Sequence, residues 1–117
     1  MELQLYGNKI LIYKEAVDFR RSIDGLSAFI VNTIQHNPQK NIYLFFNKAK
    51  DKIKLLSWHK TGFLLCYKRL EQGKFIFEFN KTQGVMEMST KEMGWLLAGL
   101  EWQRMRAWKE LSYDKFD

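Results

Sequence analysis

The sequence predicts an α+β domain: an antiparallel β-meander with an N-terminal helix and C-terminal helices packed on one face of the sheet. Three observations predict it. An apolar stripe of helical period fills residues 16–35, and β-prone segments separated by polar turns fill residues 41–79. A capping-box signature then opens a second helical stripe at Ser89. The 117 residues suit a single domain, and 46% hydrophobic residues with one proline suit a packed core.

Taken in order, Ile10-Leu11-Ile12-Tyr13 is short and β-prone. From Ala16 to Gln35, Phe19, Ile23, Leu26, Ile30 and Ile34 recur at spacings of three and four, which predicts a helix. Asp18 is placed to cap its start, and Asn37-Pro38 ends it because proline disfavours a helical residue before it. Gly25 inside this stripe costs about 1 kcal/mol relative to alanine, which points to a close contact there.

The middle reads as a meander. Asn41–Asn47 and Lys52–Trp58 are β-prone runs joined by a polar turn, and Phe63–Leu70 is either a third strand or a helix. Lys74–Phe79 alternates cleanly, with Phe75, Phe77 and Phe79 on one side, and reads as a further strand. The serine-to-glutamate spacing of Ser89-Thr90-Lys91-Glu92 starts a helix that Met93, Leu96, Leu97 and Leu100 continue. Residues 102–111 read as further helix, and an extended C-terminal helix is expected over about 104–117.

Charge is more informative than composition. The formal net charge is +6, and it is concentrated between Phe45 and Lys81, where nine basic residues face three acidic ones. Concentration of this kind suits a polyanion-binding surface. Lys52 and Lys54 share one strand face, and Lys48 and Lys50 crown the adjacent turn. Turns two apart in a meander share an end, so Arg69 and Lys74 would join them in one basic rim able to meet phosphates. The bland alternative is a solvated charged end of a sheet.

Catalytic constellations are not legible. His36, His59 and Cys66 are the only imidazole or thiol groups and lie in separate elements, so neither a metal site nor any cofactor is expected. Cys66 sits in an apolar run where its thiol would stay protonated, and a lone cysteine suits a reducing cytoplasm. Asp18 and Asp24 would lie about 240° apart around a helix, unsuited to sharing metal ions in phosphoryl transfer. No apolar run approaches the ~20 residues that span a bilayer, so no membrane partner is expected.

Two stretches, and a weaker third, resemble a known family. Val17-Asp18-Phe19-Arg20-Arg21-Ser22-Ile23-Asp24-Gly25-Leu26 is one. Asp51-Lys52-Ile53-Lys54-Leu55-Leu56-Ser57-Trp58, then Thr61-Gly62-Phe63, then Lys68-Arg69-Leu70-Glu71-Gln72-Gly73-Lys74-Phe75 form the second. The third is Leu96-Leu97-Ala98-Gly99-Leu100-Glu101-Trp102. In this order and spacing they resemble the TnpB-type, second-reading-frame accessory proteins of the insertion-sequence sixty-six transposons, over about residues 8–103. The resemblance implies a bacterial protein that works beside a separate DDE-type transposase and has no known catalytic residues. Val17 stands where the family has a polar residue, and Asn80 where many relatives have proline.

Two functions remain open on these grounds. One is an accessory protein that binds DNA weakly through Lys48, Lys50, Lys52, Lys54, Arg69 and Lys74 while meeting the transposase. The other is a protein–protein adaptor without DNA contact, using the aromatic sheet face or the region of Trp95, Trp102 and Trp108. Arg20 and Arg21 oppose the dipole of a helix beginning near them. That favours an internal pair with Asp24 or another carboxylate, with contact to an acidic partner as the alternative.

Overall fold

The computed structural model describes residues 9–79 and 84–106. Five strands and two α-helices are built from them: β1 (Ile10–Tyr13), α1 (Ile23–Phe29), β2 (Ile42–Phe46), β3 (Lys52–His59), β4 (Gly62–Arg69), β5 (Val85–Met88) and α2 (Thr90–Leu97). A π-helical segment, Ile30–Ile34, continues α1 and ends at Gln35 in the left-handed region. Residues 102–106 are again helical.

The sheet order is β4-β3-β2-β1-β5. The predicted meander exists for β2, β3 and β4, which pair antiparallel in succession. Phe63–Leu70 accordingly resolves as strand, with β4 covering most of it. The sheet as a whole is mixed, because β1 pairs parallel with β2, Ile10 opposite Ile42. The helix between these strands returns the chain so that both run the same way, which a tight hairpin cannot do.

A second correction concerns the faces. Alternation sends Ile10 and Ile12 to one side and Leu11 and Tyr13 to the other. On the first side Leu44, Phe46 and Leu55 pack with Met93 and Leu96 of α2 and with the buried Trp102. On the second side Tyr43, Phe45 and Leu56 pack with Leu26 of α1 and with Ile30. The helices therefore cover opposite faces rather than one. Strands covered on both sides need no polar face, and β1 and β2 are buried along their whole length.

The segment 74–79 is not a ladder strand. Phe75 and Phe77 are buried and Ile76 is 43% exposed, so the alternation is real, but it reflects an extended chain laid across the core. Its backbone is met at Phe75, whose N–H donates to the Lys50 carbonyl at 2.7 Å. At Glu78 the Gln103 side chain both donates to the carbonyl and accepts from the N–H, each at 2.7 Å. The neighbour of β1 on that side is β5, with Ile10 opposite Met88.

Helix α1 starts at Ile23, later than the apolar stripe implies. Asp18 does not cap it: Asp18 Oδ1 accepts the Arg20 N–H at 2.9 Å and so closes a separate turn. Ser22 holds the cap position without a side-chain hydrogen bond. Gly25 does mark a close contact, since a Cβ there would lie 3.2 Å from the Arg21 Cβ. The capping box of α2 forms as read, Ser89 Oγ accepting the Glu92 N–H and Glu92 Oε1 accepting the Ser89 N–H.

Candidate nucleic-acid interface

The basic residues lie at one end of the sheet because two turns are fixed there. Asn47 builds the β2–β3 turn: its Oδ1 accepts the N–H of Asp51 at 3.1 Å and of Lys52 at 3.0 Å. Its Nδ2 donates to Asp51 Oδ1 at 2.6 Å. That bond comes first among the causes holding the Asp51 carboxyl below its ordinary value, and the nearby Lys52 and Arg69 charges act in the same sense. The turn is tight enough to place Lys50 at φ 59°, in the left-handed region.

The loop after β4 docks onto this turn. The Leu70 N–H donates to the Asp51 carbonyl at 2.8 Å, and Phe75 bonds back to Lys50. Within the strands Lys52 stands directly opposite Arg69. The backbone positions of Lys48, Lys50, Lys52, Arg69 and Lys74 thus share one end of the molecule.

Like charges facing each other across a ladder repel, and this end tempers that locally. The Arg69 guanidinium reaches Glu71 at 3.1 Å, an exposed pair of modest worth. Lys50 Nζ sits 4.9 Å from the centroid of the Phe77 ring, which holds the ammonium over an aromatic face. Lys48 and Lys74 are exposed to solvent. Five basic side chains against Asp51 and Glu71 leave this end positive.

Lys54 does not belong to the rim. It is 8% exposed and lies on the sheet face that α1 covers. Its Nζ donates to the carbonyls of Phe19 at 2.8 Å and Arg21 at 2.6 Å, with the Phe19 ring 5.0 Å away. Burial pushes its pKa down, and the charge of Asp18 pulls the other way. Its role is to tie the loop before α1 to β3.

Three further expectations meet the structure here. Arg20 pairs with Asp18 rather than Asp24, at 2.6 Å; that contact lowers the Asp18 carboxyl to about 2. Arg21 lies over the Phe29 ring at 5.2 Å. Trp102 is fully buried in the core, so it offers no surface anchor, and Trp108 lies outside the described residues. Burial raises the Cys66 thiol, in keeping with an inert side chain. Among the described residues no group of three or more His, Cys, Asp or Glu could hold a metal ion, and no helix is long and apolar enough to cross a membrane.

Sequence reading missed two positions that shape this end. Lys50 occupies a left-handed conformation, for which the only signal was a tight turn without glycine. Lys68 turns away from the rim and donates from Nζ to the Leu97 carbonyl at the end of α2; nothing in the sequence signals that contact.

Comparison with known proteins adds the following. A family model described as IS66 Orf2 like protein matches residues 8–107. An uncharacterized protein of Sinorhizobium fredii, y4jC, is 37% identical over 101 residues, covering 86% of each chain. A second uncharacterized protein of that bacterium, y4hO, is 24% identical over 87 residues, 74% of this chain and 75% of its own. No solved structure matches the chain significantly.

Proposed function

The chain belongs to the IS66 Orf2 like family, and from that premise we propose that it is a cytoplasmic accessory protein of transposition that binds DNA weakly through its basic rim while assisting a separate DDE-type transposase. Family membership carries the association with transposition. The DNA contact rests on one observation: two turns bonded to each other bring Lys48, Lys50, Lys52, Arg69 and Lys74 to one end of the sheet.

The rim suits phosphate contact better than base reading. Lysine ammonium groups are mobile point charges, and the one guanidinium at the rim is engaged by Glu71. Such a surface neutralises phosphates and releases counterions with little sequence preference. The adaptor reading is weakened, because the aromatic sheet faces it would use are covered by α1 and α2 and Trp102 is buried. The chain has no catalytic step on this proposal. It positions DNA or the transposase, and the cutting belongs to the transposase.

A salt series of duplex DNA binding, with the element's terminal repeats included, tests this. With Arg69 occupied by Glu71, about four phosphates are neutralised and log affinity falls against log salt with a slope near −3.6. Lys48→Gln and Lys74→Gln each flatten the slope by about 0.9. Lys50→Gly does the same while relieving a left-handed non-glycine residue, so weaker binding by that variant does not arise from unfolding. Absence of binding at low salt removes the rim from the mechanism and leaves a transposase-contacting adaptor.

A further inference from the structure

The two edges of the sheet are treated differently. β5 is four residues long, carries the exposed Glu87 and has its Glu87 carbonyl held by Arg106. Short, charged edges are how sheets avoid pairing with other chains. β4 has none of these devices over most of its length. It runs for eight residues, its ladder partner among the described residues is β3 alone, and Phe63-Leu64-Leu65-Cys66-Tyr67 contains no charge, glycine or proline. Leu64 is 37% exposed and Tyr67 52%. A long apolar edge of this kind is a template for strand addition.

The sequence of β4 says which strand fits. A two-fold axis normal to the sheet joins two antiparallel edges so that each face runs on across the junction, and opposed residues then come from the same face. Centred on Leu65, that operation sets Phe63 opposite Tyr67 of the second copy and Leu64 opposite Cys66. Aromatic pairs in this position are favourable. Lys68 falls opposite Gly62, so no like charges are opposed. The two Arg69 residues end about 26 Å apart along the strands at ~3.3 Å per residue, beyond the ~8 Å Debye length of physiological salt. A parallel arrangement would instead set the two basic rims side by side.

We infer that β4 is the docking edge for a second copy of this chain, joined antiparallel about Leu65 into one continuous sheet with the two basic rims at opposite ends of the junction.

Sedimentation equilibrium of the full chain across the micromolar range tests this, with circular dichroism and thermal melting as folding controls. The wild type is expected to form dimers. Leu64→Lys and Tyr67→Lys each weaken association about tenfold or more, since an edge lysine blocks pairing, and both keep the wild-type circular dichroism spectrum because the side chains are exposed, with melting temperatures that match the wild type at concentrations where it too is monomeric. In a Cys66→Ser background, Leu65→Cys links two copies under mild oxidation. A monomer throughout overturns the inference, as does a dimer indifferent to both lysines. A wild-type dimer linked through Cys66 under the same oxidation overturns the Leu65-centred register.

Discussion

Lys54 shows what one charged side chain does when its head cannot reach water. Its ammonium is satisfied by two main-chain carbonyls and an aromatic face, and the loop carrying those carbonyls leads into α1. Lys54→Met would keep the volume and leave the Phe19 and Arg21 carbonyls without this donor. The expected cost is about 1–3 kcal/mol in urea unfolding, with the salt slope of DNA binding unchanged. Lys48→Gln is expected to do the reverse, altering binding and leaving stability within about 0.5 kcal/mol. From the sequence Lys52 and Lys54 look equivalent, because alternation assigns them to one strand face. Only the tertiary structure says that Phe19 and α1 cover that face at Lys54 and leave it more open at Lys52.

Among the elements, α2 has the most connected start. Glu92 closes the capping box with one oxygen and takes Arg106 with its carboxylate. Burial works to raise its pKa, but the bonds from Arg106 and Ser89 together hold it below the ordinary 4.5. A folded-state pKa below the unfolded value means stability fully present above the unfolded value and lost as pH falls through the folded one. Glu92→Gln is therefore expected to lower the unfolding free energy measured in urea near neutral pH, by about 1.5–3 kcal/mol for a charged hydrogen bond. The two proteins should converge in acid. A constant gap down to pH 3 would show that the carboxylate charge is not what matters. This cap was legible because both its partners lie within four residues. The start of α1 was not, since Phe19 continues the apolar spacing of the stripe from a loop. The 74–79 segment misled for a related reason: alternation reports an extended chain with one buried side, and says nothing of whether a ladder partner exists. β5 was invisible because Val85-Met86-Glu87-Met88 lacks the β-branched and aromatic run that marks the equally short β1, and its partner β1 is remote in sequence.

For the molecule as a whole, the shared end of Lys48, Lys50, Lys52 and Arg69 was legible because local turns encode the β2–β3–β4 meander, whereas Lys74 arrives there on an extended segment outside the ladder and Lys54 is buried elsewhere. The parallel β1–β2 pair and the division of helices between two faces were not legible, because both are decided by where α1 lands. The same topology makes the chain indivisible. Ile10 pairs with Ile42 on one side and Met88 on the other, so no terminal fragment holds a finished sheet. Truncation after Gly84 removes β5 and α2 together and uncovers the face lined by Leu44, Phe46 and Leu55. Such a fragment is expected to be insoluble or to bind a hydrophobic dye strongly, with no cooperative thermal transition. A sharp melt from it would disprove that dependence.

The interior position of β1 also sets a timetable for synthesis. Of the described strands β1 is made before either of its neighbours, and the second of them, β5, is made some 75 residues later. At about 5–20 residues per second that delay is roughly 4–15 s, with an apolar strand open along one side throughout. An apolar strand left open in this way is the kind of segment that chaperones shielding hydrophobic surface bind.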